Sequence, residues 1–149
     1  MVYRTGTDGE SGQLSAPINR GNLVEQLLIA FPELQAAYER EASKWSPPEI
    51  PTNYSVVGFV FKPRFREEVE SGFITDFLIR SGDFFERVSR TGDSEAVNVI
   101  WIKIFEWLLP RSDSLRLLWP ILGAMTTAAI EDAAGRWGYS LKGVRPVKQ

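Results

Sequence analysis

Apolar residues recur at three- and four-residue steps through the middle of this chain, and that spacing constrains the fold more than any other feature. Phe73, Ile74, Phe77, Leu78, Phe84, Phe85 and Val88 follow it, with Asp76, Arg80, Asp83, Glu86 and Arg87 between them. The segment from Phe73 to Arg90 therefore predicts an amphipathic helix, with Gly82 a place where it can bend. Thr91-Gly92-Asp93 predicts its end and an N-cap for the next helix, whose first turn carries Glu95 where the helix dipole favours negative charge. Glu95 to Leu109, EAVNVIWIKIFEWLL, sets Val97, Ile100, Trp101, Ile104, Phe105 and Leu108 on one face and apolar residues on much of the other. A helix of that kind is enclosed by neighbours, so it is expected at the centre of the fold. A strand through VNVIWI is the competing reading, but the run up to Pro110 is longer than a usual strand.

The flanking segments extend the helical pattern. Leu23, Leu27, Leu28 and Phe31 predict a helix starting at Asn22, with Asn22 and Glu25 spaced as in a capping box. Pro32 ends it and opens another that runs to about Trp45, with Leu34, Ala37, Tyr38 and Trp45 on its apolar side. Pro47, Pro48 and Pro51 make a stiff connector. Tyr54 to Pro63 reads as helix or strand, with helix favoured, continuing as FREEVE until Gly72. A last helix begins near Ser112, is kinked or split by Pro120, and stops at Gly138. Residues 1–21 lack apolar periodicity and read as a mobile arm, although Leu14 and Ile18 beside Pro17 could lay an extended segment on the body; residues 139–149 read as a short basic tail. The expected architecture is all-α, a single domain of about six helices over 22–138, arranged as an irregular bundle or a short helix-pair solenoid.

Composition narrows the chemistry. The 149 residues contain no cysteine and no histidine, which removes disulfide frameworks, Cys/His metal sites and histidine acid–base relays. A net charge of −2 argues against an electrostatic grip on nucleic acid. No apolar run is long enough to span a membrane, and residues 1–21 show no export signal, so a cytoplasmic protein is expected. Carboxylate pairs are the remaining acid–base equipment: Glu67, Glu68 and Glu70; Asp83 with Glu86; Glu131 with Asp132. The first set reads as a solvated face and the second as ion-pair neighbours of Arg80, Arg87 and Arg90, while Glu131 and Asp132, being adjacent, point about 100° apart around a helix, which is poor geometry for shared work. Phosphate-cradling and serine-elbow motifs are absent. Neither an enzyme nor a metal or cofactor is expected.

One surface stands apart. On a straight helix Glu95, Asn98, Ile102 and Glu106 cluster opposite the core side, with Trp107 and Leu109 flanking them. Apolar and aromatic residues ringed by polar groups suit a protein-binding face. The other reading is that neighbouring helices cover Ile102 and Leu109.

The segments LLIAFPELQAAYE (27–39), FFERVSRTGDSEAVNVIWIKIFEWL (84–108) and LGAMTTAAIEDAAGRWG (122–138) resemble a family of small all-helical bacterial immunity proteins found at polymorphic-toxin and secretion-system loci. The resemblance covers about residues 22 to 138; the N-terminal arm and the Pro-rich connector have no counterpart in it. It implies neutralisation of a cognate toxin or effector domain by tight binding and active-site occlusion. On that reading Asp76, Asp83, Glu95 and Glu106 would meet positive groups on the toxin, Ile102, Trp107 and Leu109 would give apolar contact, and Asn98 would lie among them. A helical adaptor or regulatory subunit of a resident bacterial complex is the alternative.

Overall fold

The computed structural model describes residues 16–145. Over that span the chain is all-α: seven helices and no strand among the described residues. They are α1 (Leu23–Ala30), α2 (Gln35–Ala42), α3 (residues 53–70), α4 (Asp76–Thr91), α5 (residues 94–108), α6 (Ser112–Leu118) and α7 (Ala124–Trp137). Pro32 and Pro120 each stand at the start of a 3-10 turn, Pro32–Leu34 and Trp119–Ile121, where a missing N–H costs little. Both segments for which a strand is the competing reading are helical, as favoured.

Each of α3 and α5 carries one π-helical turn, Val57–Phe61 and Trp101–Phe105. There the Lys62 amide bonds back to the Val57 carbonyl, and the Glu106 amide to that of Trp101, five residues away instead of four.

The centre of the fold is α4, and this corrects the expectation that the 95–109 helix would hold it. Helix α4 touches α1, α3, α5, α7 and the turn after α6, and buries Phe77, Leu78, Ser81, Gly82, Phe84, Phe85 and Val88. Helix α5 instead leaves Asn98, Ile102 and Glu106 exposed. Because α4 packs on helices distant in sequence as well as adjacent ones, the arrangement is an irregular bundle and not a helix-pair solenoid. Phe31, Phe61, Phe65, Phe77, Phe84, Phe85 and Phe105 join α1, α3, α4 and α5 in one aromatic cluster, with neighbouring rings such as Phe31–Phe77 at 4.7 Å and Phe85–Phe105 at 5.4 Å.

Several boundaries differ from the sequence reading. Helix α4 starts at Asp76, where the Thr75 hydroxyl accepts from the Leu78 amide at 3.2 Å, so Phe73 stays outside it and is 73% exposed. Asn22 makes no capping box; its Oδ1 accepts from the Asn19 amide at 2.7 Å. Residues 16–21, expected in the mobile arm, are fixed to the body. Ile18 is fully buried, its amide donates to Thr91 Oγ1 at 3.1 Å, and the Arg20 amide donates to Asp93 Oδ2 at 3.0 Å. Residues 1–15 of that arm lie outside the described residues. At the other end Gly138, at φ 78°, closes α7 as a left-handed C-cap. Leu141 and Val144 of the basic tail are buried, and the Gly143 carbonyl accepts from Arg116 Nε at 2.9 Å; residues 146–149 lie outside the described residues.

Candidate functional site

Helices α3 and α5 lie side by side and run in the same direction. Asn53 donates from Nδ2 to Glu95 Oε2 at 2.9 Å, and one residue on Asn98 Nδ2 lies 3.4 Å from the Tyr54 hydroxyl. Farther along, Lys103 crosses Gly58, and Phe65 meets Trp107 edge-on with 6.3 Å between ring centroids. The sequence offset, 42 for Asn53–Glu95 and 44 for Tyr54–Asn98, sets the two π turns alongside each other.

The π turn in α5 changes what its far end presents. One extra residue in the turn rotates everything after it by about 100° relative to a straight helix. Leu109, expected on the outer face, is swung inward and is only 4% exposed, so it packs in the core and is withdrawn from the partner-binding set. Trp107, expected to flank that face, is half-buried. Ile102, within the turn, is 41% exposed and is not covered by a neighbouring helix.

Around Trp107 the charge is positive. Lys62 Nζ stands 5.9 Å from the Trp107 ring centroid and the Arg111 guanidinium carbon 4.6 Å from it, while Arg111 Nη1 donates to the Trp107 carbonyl. Lys103 reaches across the bare backbone of Gly58: a Cβ there would lie 3.4 Å from Lys103 Cδ and Cε and 3.6 Å from Nζ. Burial first, and then the charges of Lys103, Arg111 and Arg66, push the Lys62 ammonium below its ordinary value. Arg66 is paired with Glu70 at 3.1 Å. Among the described residues, Lys62, Lys103 and Arg111 have no carboxylate at ion-pair distance.

The acidic residues named from the sequence are not gathered on this face. Asp76 is bound to Arg80 Nε at 2.8 Å at the start of α4. Asp83 lines a different groove, with Ile29, Ala30, Arg80, Phe84 and Arg87. Glu95 is engaged by Asn53. Asn98, Ile102, Glu106 and Trp107 remain on α5 beside α3. The cations Lys62, Lys103 and Arg111 are the members that sequence reasoning missed. Lys103 registers there only as a break in an apolar run, and nothing in the sequence announces that α3 pairs with α5 in parallel.

Five of the seven carboxylates in the candidate pairs make structural contacts, Glu70 with Arg66 among them. Glu68 pairs with Arg64 at 2.8 Å, Asp132 with Arg136 at 3.0 Å and Glu131 with Arg145 at 2.9 Å. Glu86 accepts from the Met125 and Thr126 amides at the start of α7. Among the described residues no group of three or more acidic side chains is placed to hold a metal ion, and no helix is long and apolar enough to cross a membrane.

No curated protein and no solved structure matches the chain. The family described as "Domain of unknown function (DUF7674)" matches residues 24–138, from the first turn of α1 to the glycine that ends α7, with both π turns included. A match over that much of the chain makes this protein a member of the DUF7674 family.

Proposed function

We propose that the domain works by binding a partner protein on the α3–α5 face. Following the immunity-like resemblance, the partner is a toxin or effector domain whose active site is occluded, with no chemistry contributed by this chain. The observation that carries the reading is the pairing of Ile102 and Trp107. They present apolar surface on adjoining turns of α5, while Ile100, Ile104, Phe105, Leu108 and Leu109 of the same stretch are buried. Aromatic and aliphatic groups ringed by charged ones carry most of the energy of protein interfaces. Mounting them on one helix packed along another keeps the ordering cost of binding low. The π turns support the same reading, since each breaks regular hydrogen bonding, a feature concentrated at functional positions.

The test is a growth assay in cells expressing the toxin domain of an effector encoded beside this gene, with and without this chain. Rescue is expected, and the Ile102→Asp/Glu106→Arg double variant is expected to lose it while keeping its thermal midpoint. Absence of rescue, or full rescue by the double variant, overturns the proposal.

A further inference from the structure

We propose that the cation cluster over Trp107 is the seat of an acidic segment of the partner protein, with Asp or Glu carboxylates held by Lys62, Lys103 and Arg111. The inference rests on the protein-binding reading and reverses the charge that the sequence suggested for it.

Three observations converge. The chain as a whole is acidic, at −2, yet Lys62 and Arg111 stand over one half-buried tryptophan, and Lys103 crosses Gly58 close enough for its charge to act on Lys62. They meet without ion-paired carboxylates: Arg66, whose charge also acts on Lys62, is matched by Glu70 one turn on, whereas Lys62, Lys103 and Arg111 are matched by none among the described residues. Like charges held together raise the energy of the free protein, and an anion seated among them relieves that repulsion. The cluster is also held in place by its surroundings. Arg111 is anchored on the Trp107 carbonyl, Lys103 lies over Gly58 where a Cβ would be in van der Waals contact with it, and Lys62 sits over the indole ring. Part of the ordering cost of an ion-pair interface is therefore met before binding. The choice of a protein segment over other anions rests on the apolar company: Ile102 and the indole of Trp107 offer contact to aliphatic or aromatic side chains interspersed with the carboxylates.

The experiment uses the full chain and a fluorescein-labelled decapeptide of alternating glutamate and leucine, read by anisotropy at low salt. A lysine–leucine decapeptide and a single-stranded DNA decamer are run beside it. Binding of the glutamate peptide is expected, with amide chemical-shift changes centred on Gly58, Lys62, Lys103 and Trp107. It is expected to weaken by about tenfold in Lys62→Glu/Lys103→Glu, and to be retained in Lys62→Arg/Lys103→Arg, which keeps the charge. Preference for the lysine peptide, tighter binding of the DNA, or shifts elsewhere on the surface overturns the proposal. The growth assay then separates the two readings: if Lys62→Glu/Lys103→Glu still protects while Ile102→Asp/Glu106→Arg does not, partner binding stands and the acidic-segment inference falls.

Discussion

Arg80 closes on Glu33 in a fork, with Nη1 to Oε1 at 3.0 Å and Nη2 to Oε2 at 2.6 Å, across 47 residues of sequence. The same guanidinium gives Nε to Asp76 at 2.8 Å and Nη1 to the Ala30 carbonyl at 2.8 Å, and it lies 5.2 Å from the Phe31 ring centroid. The Ala30 carbonyl is one of the groups a helix leaves unpaired at its C-terminus, so one side chain both finishes α1 and ties α4 to the α1–α2 junction.

Removing that fork should be felt in global stability. Arg80→Ala is expected to cost about 1–3 kcal/mol by urea denaturation, and Arg80→Lys most of that, because an ammonium cannot serve the fork, the carbonyl and the ring together. The hydrogen bond from Arg80 holds the Glu33 carboxyl below its ordinary value of 4.5. A depressed folded-state value means the contribution is complete above the unfolded value and is lost as pH falls through the folded one. Urea melts at neutral and acid pH should therefore differ less in Glu33→Gln than in the parent protein.

Glu86 supplies a helix cap from outside its own helix. Gly123 at the N-cap of α7 has no side chain to offer, and Glu86 accepts from the Met125 amide at 3.1 Å and from the Thr126 amide and hydroxyl at 3.0 and 2.9 Å. Burial raises the Glu86 carboxyl, but these bonds outweigh it and the net shift is downward. Glu86→Gln is expected to lose about 1–2 kcal/mol near neutral pH, a difference that shrinks as acid protonates the parent carboxylate. Gly123→Ser would normally improve an N-cap, yet here a Cβ would sit 2.3 Å from the Glu86 carboxyl. Thermal denaturation should show that variant destabilised, by about 1 kcal/mol.

The sequence made the helices legible and concealed their phase. Period-3.6 spacing identified α4 and α5, Asp93 was readable as the cap of α5, and Gly138 as the stop of α7, because each depends on residues close in the chain. Nothing in the residue spacing announces the π turns, and a 100° helical wheel drawn without the one in α5 puts Leu109 outside. The charge of the candidate face escaped for a related reason. Lys62, Lys103 and Arg111 are unremarkable in sequence; Arg111 reaches Trp107 from one turn along the chain, but only the pairing of α3 with α5 brings Lys62 to the same indole ring and Lys103 over Gly58.

Ile18 tests where the folded body begins. It lies in a segment without helical periodicity, yet it is fully buried and its amide bonds to Thr91 at the end of α4. Ile18→Ala is expected to cost about 2–4 kcal/mol, as for any large aliphatic residue removed from a closed core. A chain beginning at Asn22 should lose at least as much, because it also leaves Arg87 without the Ala16 carbonyl. Equal urea midpoints for the parent and Ile18→Ala would place Ile18 outside the core.

Two helical glycines should answer the same substitution in opposite directions. At Gly82 a Cβ would lie 2.4 Å from the Ile121 carbonyl oxygen, a backbone atom with no rotamer to escape into. That glycine lets the Trp119–Ile121 turn rest directly on α4. Alanine in place of glycine gains about 1 kcal/mol of helix propensity, but forcing the turn away from a packed helix costs more, so Gly82→Ala is expected to be destabilised by about 1–3 kcal/mol net. At Gly135 in α7 a Cβ meets nothing within 4 Å, so only the propensity term operates. Gly135→Ala should be more stable than the parent by about 0.5–1 kcal/mol. Calorimetric midpoints that move in the same direction for both variants would remove the close contact at Gly82 as the cause.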